Sequence, residues 1–290
     1  MPNEGRLDVA SLLRRSPGGV LLTWSLVLLE NLLMAFIPLF IGRAIDGLMG
    51  GNAGALWPIG SVLVSLILVA VVRRAFDTRS YGTMRVQLGG ELVHRSRDLG
   101  VSQVNARLEM ARELVDFLEQ QLPALLTGMV QLLVSVAVLF GFGIRLGLAA
   151  LVALLLMALI YAAFHRRFFI ANQRLNEQWE RQVAVLEGRR PSAVKVHLEA
   201  LRRWEIRLSD TEALLYGLVF LVMSGFVLTN LVGAAGVPGA TAGTIFAIVS
   251  YSWEFVESAF QLPVTLQQWT RLSEITERIN GEGTADGTPP

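Results

Sequence analysis

Long runs of apolar residues alternate with polar segments along this chain of 290 residues. A bilayer core of roughly 30 Å needs about 20 apolar residues in helical form, and six runs are long enough. Because the bilayer core offers no water to backbone N–H and C=O groups, each run is predicted to be a transmembrane helix. The six predicted spans are residues 20–41, 56–72, 122–142, 146–164, 213–232 and 241–262.

Two of the polar segments are much longer than the others. Residues 73–121 and 165–212 are each nearly fifty residues of polar, helix-forming sequence, whereas the remaining connections are short and rich in glycine. At 1.5 Å per residue, about twenty residues out and twenty back would reach some 30 Å from the membrane. The pattern predicts two long helical hairpins, with breaks at Gly89-Gly90 and at residues 188–191.

Arginine placement predicts the orientation in the membrane. Positive charge marks the cytoplasmic side of a multi-pass protein, so both long hairpins and both termini are expected in the cytoplasm of a plasma (inner) membrane protein. The predicted organisation is a cytoplasmic N-terminal segment (1–16), a six-helix domain (17–279) and a disordered tail (280–290). The arginines that follow or precede the spans are Arg6, Arg14, Arg15, Arg73, Arg74, Arg79, Arg85, Arg166, Arg167 and Arg174.

The amino-acid composition narrows the class of protein further. Hydrophobic residues make up 53% of the chain and charged residues only 17%, which is typical of an integral membrane protein. The net charge of +1 provides no basic excess for a nucleic-acid partner, and the absence of cysteine excludes disulfides and thiol chemistry. The three histidines, His94, His165 and His197, have no metal-ligand spacing. No metal and no cofactor are expected.

The single lysine argues against nucleotide hydrolysis by this polypeptide. A phosphate-binding P-loop needs a lysine followed by serine or threonine at the start of a helix. Lys195 is followed by Val196. The chain is therefore predicted to be a transporter and not an enzyme, with no nucleotide-binding motif.

Three stretches resemble a known family. They are "PLFIGRAIDGLMGG", "LVDFLEQQLPALLTGMVQLL" and "TAGTIFAIVSYSWEFVESAFQLPVTLQQWTRLSEITERI". Together with six spans and two long hairpins, they resemble the membrane domain of type I ATP-binding-cassette (ABC) exporters over about residues 7–279. The resemblance implies an all-α integral membrane fold and a domain-swapped homodimer, in which helices four and five cross to the partner subunit.

The tips of the hairpins differ from that family. The first tip, "GGELVHRSRDLGVSQVNARLEM", is shorter than the family pattern, and the second contains Pro191. In this respect the chain is similar to standalone members such as the SbmA/BacA-like proton-driven peptide transporters. The leading interpretation is a transporter of an amphiphilic or cationic solute, including peptides, driven by the proton gradient. Two alternatives stay open: an ABC exporter subunit served by a separately encoded ATPase, and a membrane scaffold that transports nothing.

Polar side chains follow one face of the sixth predicted span. At about 100° per residue, the positions fall within roughly an 80° arc. Facing lipid they would be costly, so we expect them to face a shared water-filled cavity that is the transport path. They are Ser250, Glu254, Glu257, Gln261, Thr265 and Gln268, to which the first span adds Glu30 and Asn31 and the third adds Thr127, Gln131 and Ser135.

The carboxyl pair Glu254 and Glu257 is the strongest candidate for proton coupling or for binding a cation. Like charges one helical turn apart repel, so the pair is expected to titrate as a unit and to hold one proton near neutral pH. Tyr251 and Trp253 flank the pair and are candidates for the cavity lining or for the interfacial belt. Glu30 is a second candidate for the proton path, with hydrogen bonding to a neighbouring helix as its alternative.

One charged pair is expected to be structural, with a gate as its alternative. Arg43 and Asp46 lie three residues apart at the outer end of the first span. Residues at this spacing are neighbours on a helix surface, so an ion pair is predicted between them.

Overall fold

The computed structural model describes residues 17–95 and 100–281, with side chains for 18–94 and 100–261. The expected N-terminal segment lies outside the described residues, as does nearly all of the expected tail. The side chains of Thr265 and Gln268 also lie outside them.

Nearly all of the described part of the chain is helical, with no strand in residues 17–95 and 100–281. A single turn of 3₁₀-helix, Ala53–Ala55, joins the first two helices, and a π-helical segment, Phe117–Gln121, joins the third and fourth. The α-helices are α1 (Pro17–Met49), α2 (Leu56–Arg95), α3 (Val101–Asp116), α4 (Leu122–Phe142), α5 (Ile144–Glu180), α6 (Gln182–Glu187), α7 (Pro191–Ala235) and α8 (Ala242–Gly281).

Within the described residues, five helical segments are long and apolar enough to cross a membrane. The sixth predicted span lies on α8, which is helical but is not one of the five, and its two glutamates lower its mean hydropathy. A sixth crossing, by α8, therefore stays a prediction. The five segments are Gly18–Met49, Ala53–His94, Val101–Phe142, Ile144–Glu187 and Pro191–Ala235.

Helix continues well past the predicted ends of the spans. The prediction that α2 breaks at Gly89-Gly90 is wrong, because α2 runs unbroken to Arg95. Leu88 and Leu92, on either side of the glycines, are buried, and their packing holds this part of α2 helical despite the low helix propensity of glycine. The second predicted break is confirmed, since α6 ends at Glu187 and α7 begins at Pro191.

The chain divides into two compact units, residues 1–138 with 238–290, and residues 139–237. The first unit contains α1, α2, α3, most of α4, and α8, and the second contains α5, α6 and α7. Within the second unit α5 and α7 pack along each other. Their contact is close at Gly233, where an added Cβ would lie 2.8 Å from Leu146.

A buried apolar core lies within the first unit, between the start of α1, the second half of α2, α3 and the π-helical segment. Arg85 of α2 borders this core and forms ion pairs with Asp116, at 2.6 Å, and with Glu119. The core residues are Val20, Tyr81, Met84, Leu88, Leu92, Ala111, Leu114, Val115, Phe117, Leu118 and Leu122.

The end of α1 is fastened to the start of α8. Asp46 accepts a hydrogen bond from the backbone N–H of Gly243 at 2.8 Å and another from the Thr241 hydroxyl at 2.6 Å. The expected ion pair between Arg43 and Asp46 is therefore wrong for the described residues, because the first N–H groups of α8 attract this carboxylate. Gly42 and Gly243 lack the Cβ atoms that would keep the two backbones apart here.

Candidate functional site

Three helices of the first unit, α1, α4 and α8, surround a pocket of about 320 Å³. Its wall combines apolar side chains from α1, polar side chains from α4 and both carboxyl groups of α8. The lining residues are Met34, Ile37, Thr127, Gly128, Gln131, Glu254, Glu257, Ser258 and Gln261.

The two carboxyl groups differ in exposure. Glu254 is partly buried, and its Oε2 atom is buried without a hydrogen-bond partner among the described residues. Glu257, almost one helical turn further along α8, is exposed. No lysine, arginine or histidine is among the described residues that line the pocket. A buried carboxylate oxygen without a partner is costly, and a proton on Glu254 or a hydrogen-bond donor in the pocket would lower that cost.

Amide groups of α1 and α4 meet on the opposite wall. Asn31 is fully buried, and its Nδ2 donates to the Val27 carbonyl at 2.8 Å and to the Thr127 hydroxyl at 3.1 Å. Gln131 donates through Nε2 to the Asn31 carbonyl at 3.5 Å. Both N–H bonds of the Asn31 amide and one N–H bond of the Gln131 amide are thus used by other groups, while Oε1 of Gln131 is buried without a partner among the described residues.

Five of the predicted site residues line this pocket together. They are Thr127, Gln131, Glu254, Glu257 and Gln261. Asn31 lies behind the wall, where it holds Thr127.

Sequence reasoning missed four lining residues: Met34, Ile37, Gly128 and Ser258. Ser258 follows Glu254 by four residues and could have been found from helical spacing. The other three are apolar or small, and nothing in the pattern distinguishes them from residues that face lipid.

Three other candidates on α8 are not among the pocket-lining residues. Ser250 is half-buried, one turn before Glu254. Tyr251 is buried, and its hydroxyl donates to the Ala35 carbonyl of α1 at 2.6 Å. Trp253 is 58% exposed, as expected for a residue that contacts lipid or the membrane interface. The structure therefore places Tyr251 in helix packing rather than in the pocket.

Glu30 lies in a separate polar cluster between α1 and α2. Its carboxylate pairs with the Arg73 guanidinium at 2.6 Å, and Arg73 also contacts Asp77 at 3.4 Å. Asp77 is buried and accepts a hydrogen bond from the Thr23 hydroxyl at 2.7 Å. One arginine thus balances two carboxylates, and the structure does not bring Glu30 to the pocket.

The described lining of the pocket is acidic and partly apolar. The described residues contain no group of three or more histidines, cysteines, aspartates or glutamates that could hold a metal ion. The pocket brings two carboxyl groups, amide oxygens and an apolar wall together in one small space.

Several apolar helices of spanning length, with a partly polar pocket between three helices, define a multi-pass membrane protein. Residues 13–243 match the sequence model of the ABC transporter transmembrane region. The match covers well over half of the chain, so the chain belongs to this family. None of the curated proteins matches it.

Proposed function

We propose that this protein carries a cationic or amphiphilic solute across the plasma (inner) membrane in exchange for protons, without an ATPase of its own. The observation that supports this most strongly is the pocket between α1, α4 and α8, which contains Glu254 and Glu257 and, among the described side chains, no basic group. Placing a carboxyl group within the membrane costs free energy, and such groups most often mark ion or substrate paths.

Glu254 and Glu257 have different tasks in this mechanism. The buried Oε2 of Glu254 holds the proton when the pocket is empty, and the exposed carboxyl of Glu257 connects the pair to water. A cation that enters replaces the proton as partner of the pair, so the two ligands compete for one site. Exchange follows if the pocket opens alternately to the two sides of the membrane.

Glu30 has a structural task in this proposal. The carboxylate is already paired with Arg73, and the adjacent Asp77 shares the same guanidinium. The cluster links α1 to α2, and so supports the helix that provides Met34 and Ile37 to the pocket.

The proposed assembly is a homodimer with six crossings per subunit and both termini in the cytoplasm. The second compact unit, residues 139–237, contains the fourth and fifth predicted spans. These are the two helices that cross to the partner subunit in the resembled exporters. The division into units supports a swapped dimer in which α8 is the sixth span.

A membrane subunit driven by a separately encoded ATPase is the second candidate. The short helix α6 favours it, because α6 lies between two long helices at the tip of the second predicted hairpin. Coupling helices at hairpin tips are the elements by which ABC exporters contact their ATPase.

One transport experiment separates the two candidates. The purified protein is placed in liposomes that are acidic inside, without nucleotide, and uptake of small cations, a cationic peptide and a neutral solute is followed. We expect uptake of at least one cationic solute, which an uncoupler abolishes. Uptake that survives the uncoupler and requires an added ATPase subunit with ATP would replace the proposal with the second candidate.

A further inference from the structure

The pocket contains buried polar atoms that lack partners, and these atoms are of one chemical kind. Oε2 of Glu254 and Oε1 of Gln131 are both hydrogen-bond acceptors, and both are unpartnered among the described residues. Three of the amide N–H bonds nearby are used by other groups, since Gln131 donates to the Asn31 carbonyl and Asn31 donates to Val27 and Thr127. Unpartnered buried acceptors are costly, and a ligand that donates hydrogen bonds would satisfy them.

Charge and shape restrict the ligand further. The lining within residues 18–94 and 100–261 includes two carboxyl groups and no cationic side chain, which favours a cation over a neutral donor or an anion. Met34 and Ile37 form an apolar wall on α1. A volume of about 320 Å³ is at the small end of ligand pockets, which run from roughly 300 to 1,000 Å³.

We infer that the pocket binds an ammonium or guanidinium group, with its N–H bonds intact, joined to a small apolar body. The N–H groups of the ligand donate to Glu254 and Gln131, and its apolar part contacts Met34 and Ile37. That such a compound is the transported solute rests on the proposed function. The preference for N–H donors rests on the pocket alone and can be tested by binding.

A quaternary ammonium ion is the most informative comparison. It has the same charge as a primary ammonium ion but no N–H bond, so it leaves both acceptors unpartnered. Sites built to hydrogen-bond a ligand discriminate strongly against analogues that lack the group. A ligand that carries the positive charge but has no hydrogen-bond donor should therefore bind poorly. A neutral ligand that has a donor should also bind poorly.

The experiment measures equilibrium binding to the full-length protein in nanodiscs, with no gradient. The probes share a phenethyl body and differ in the head group: guanidinium, primary ammonium, trimethylammonium and alcohol. We expect the first two to bind saturably and to compete with each other. The trimethylammonium ion and the alcohol should bind at least about tenfold more weakly, as expected for the loss of one charge-assisted hydrogen bond.

Two variants assign the binding to the pocket. Glu254→Gln and Gln131→Leu should each weaken binding of phenethylguanidinium by about tenfold. Glu199→Gln, which changes an exposed glutamate on α7, should leave it unchanged. Near-native elution in size-exclusion chromatography shows that each variant is folded, and either pocket variant alone is sufficient for the test.

Three results would overturn the inference. They are trimethylammonium binding as tight as guanidinium binding, the absence of saturable binding by both N–H cations, and guanidinium binding unaffected by both pocket variants. Failure of the proposed function gives a different result, in which the N–H cations bind selectively but no proton-driven uptake occurs. Proton-driven uptake of solutes without this selectivity refutes the inference and keeps the function.

Discussion

The substitution Glu254→Gln is expected to reduce gradient-driven transport by at least about tenfold, which corresponds to about 1.4 kcal/mol. The substitution preserves size but removes the carboxyl group whose buried oxygen lacks a partner. Glu257→Gln should act in the same direction, because Glu257 connects the pair to water. The measurement is the initial rate of solute uptake into proteoliposomes under a fixed proton gradient.

A matched control distinguishes this effect from a general effect of lost negative charge. Glu199 of α7 is exposed, and Glu199→Gln makes the same chemical change outside the pocket. The control should transport at the parental rate. Parental rates in Glu254→Gln and Glu257→Gln proteins that assemble normally would show that these carboxyl groups are structural.

Loss of the Arg73 side chain is expected to have the largest effect on stability. Arg73→Leu leaves Glu30 and the buried Asp77 without their shared counter-charge. Removing one partner of a buried ion pair costs about 3–5 kcal/mol, and the lower end applies because the Arg73 side chain is 29% exposed. Thermal unfolding of the purified protein in detergent should show a clear fall in apparent Tm.

A charge-neutral rescue makes the Arg73 prediction specific. Adding Glu30→Gln and Asp77→Asn to Arg73→Leu removes both unpaired charges, so most of the lost stability should return. Arg74→Leu is the control, since Arg74 is the exposed neighbour and forms no ion pair within the described part of the chain. A triple variant no more stable than Arg73→Leu would show that apolar packing of Arg73, and not its charge, stabilises this cluster.

Hydropathy predicted much of the fold because the bilayer requires long apolar helices. Five helical segments of spanning length in the described residues confirm the prediction of several long apolar helices. Helix α4 has the bounds predicted for the third span. Local propensity was a poorer guide. Gly89 and Gly90 indicated a break, yet the packing of Leu88 and Leu92 keeps α2 helical there.

The candidate site was partly predictable for a different reason. Polar residues in an apolar run are conspicuous, and helical spacing placed Glu254, Glu257 and Gln261 on the same face, as the pocket has them. Partners distant in sequence were not predictable from spacing. Glu30 pairs with Arg73, 43 residues away, and Asp46 bonds to Gly243, 197 residues away.

The central claim is that a cationic solute and a proton compete for the carboxyl pair of the pocket. Proton release on solute binding tests it most directly, with a pH-sensitive dye in weakly buffered solution and phenethylguanidinium or another transported cation as the ligand. Near neutral pH the wild-type protein should release up to about one proton per solute bound. The Glu254→Gln/Glu257→Gln double variant should release none. Solute binding by the wild-type protein without proton release, or equal release by the double variant, would contradict the claim.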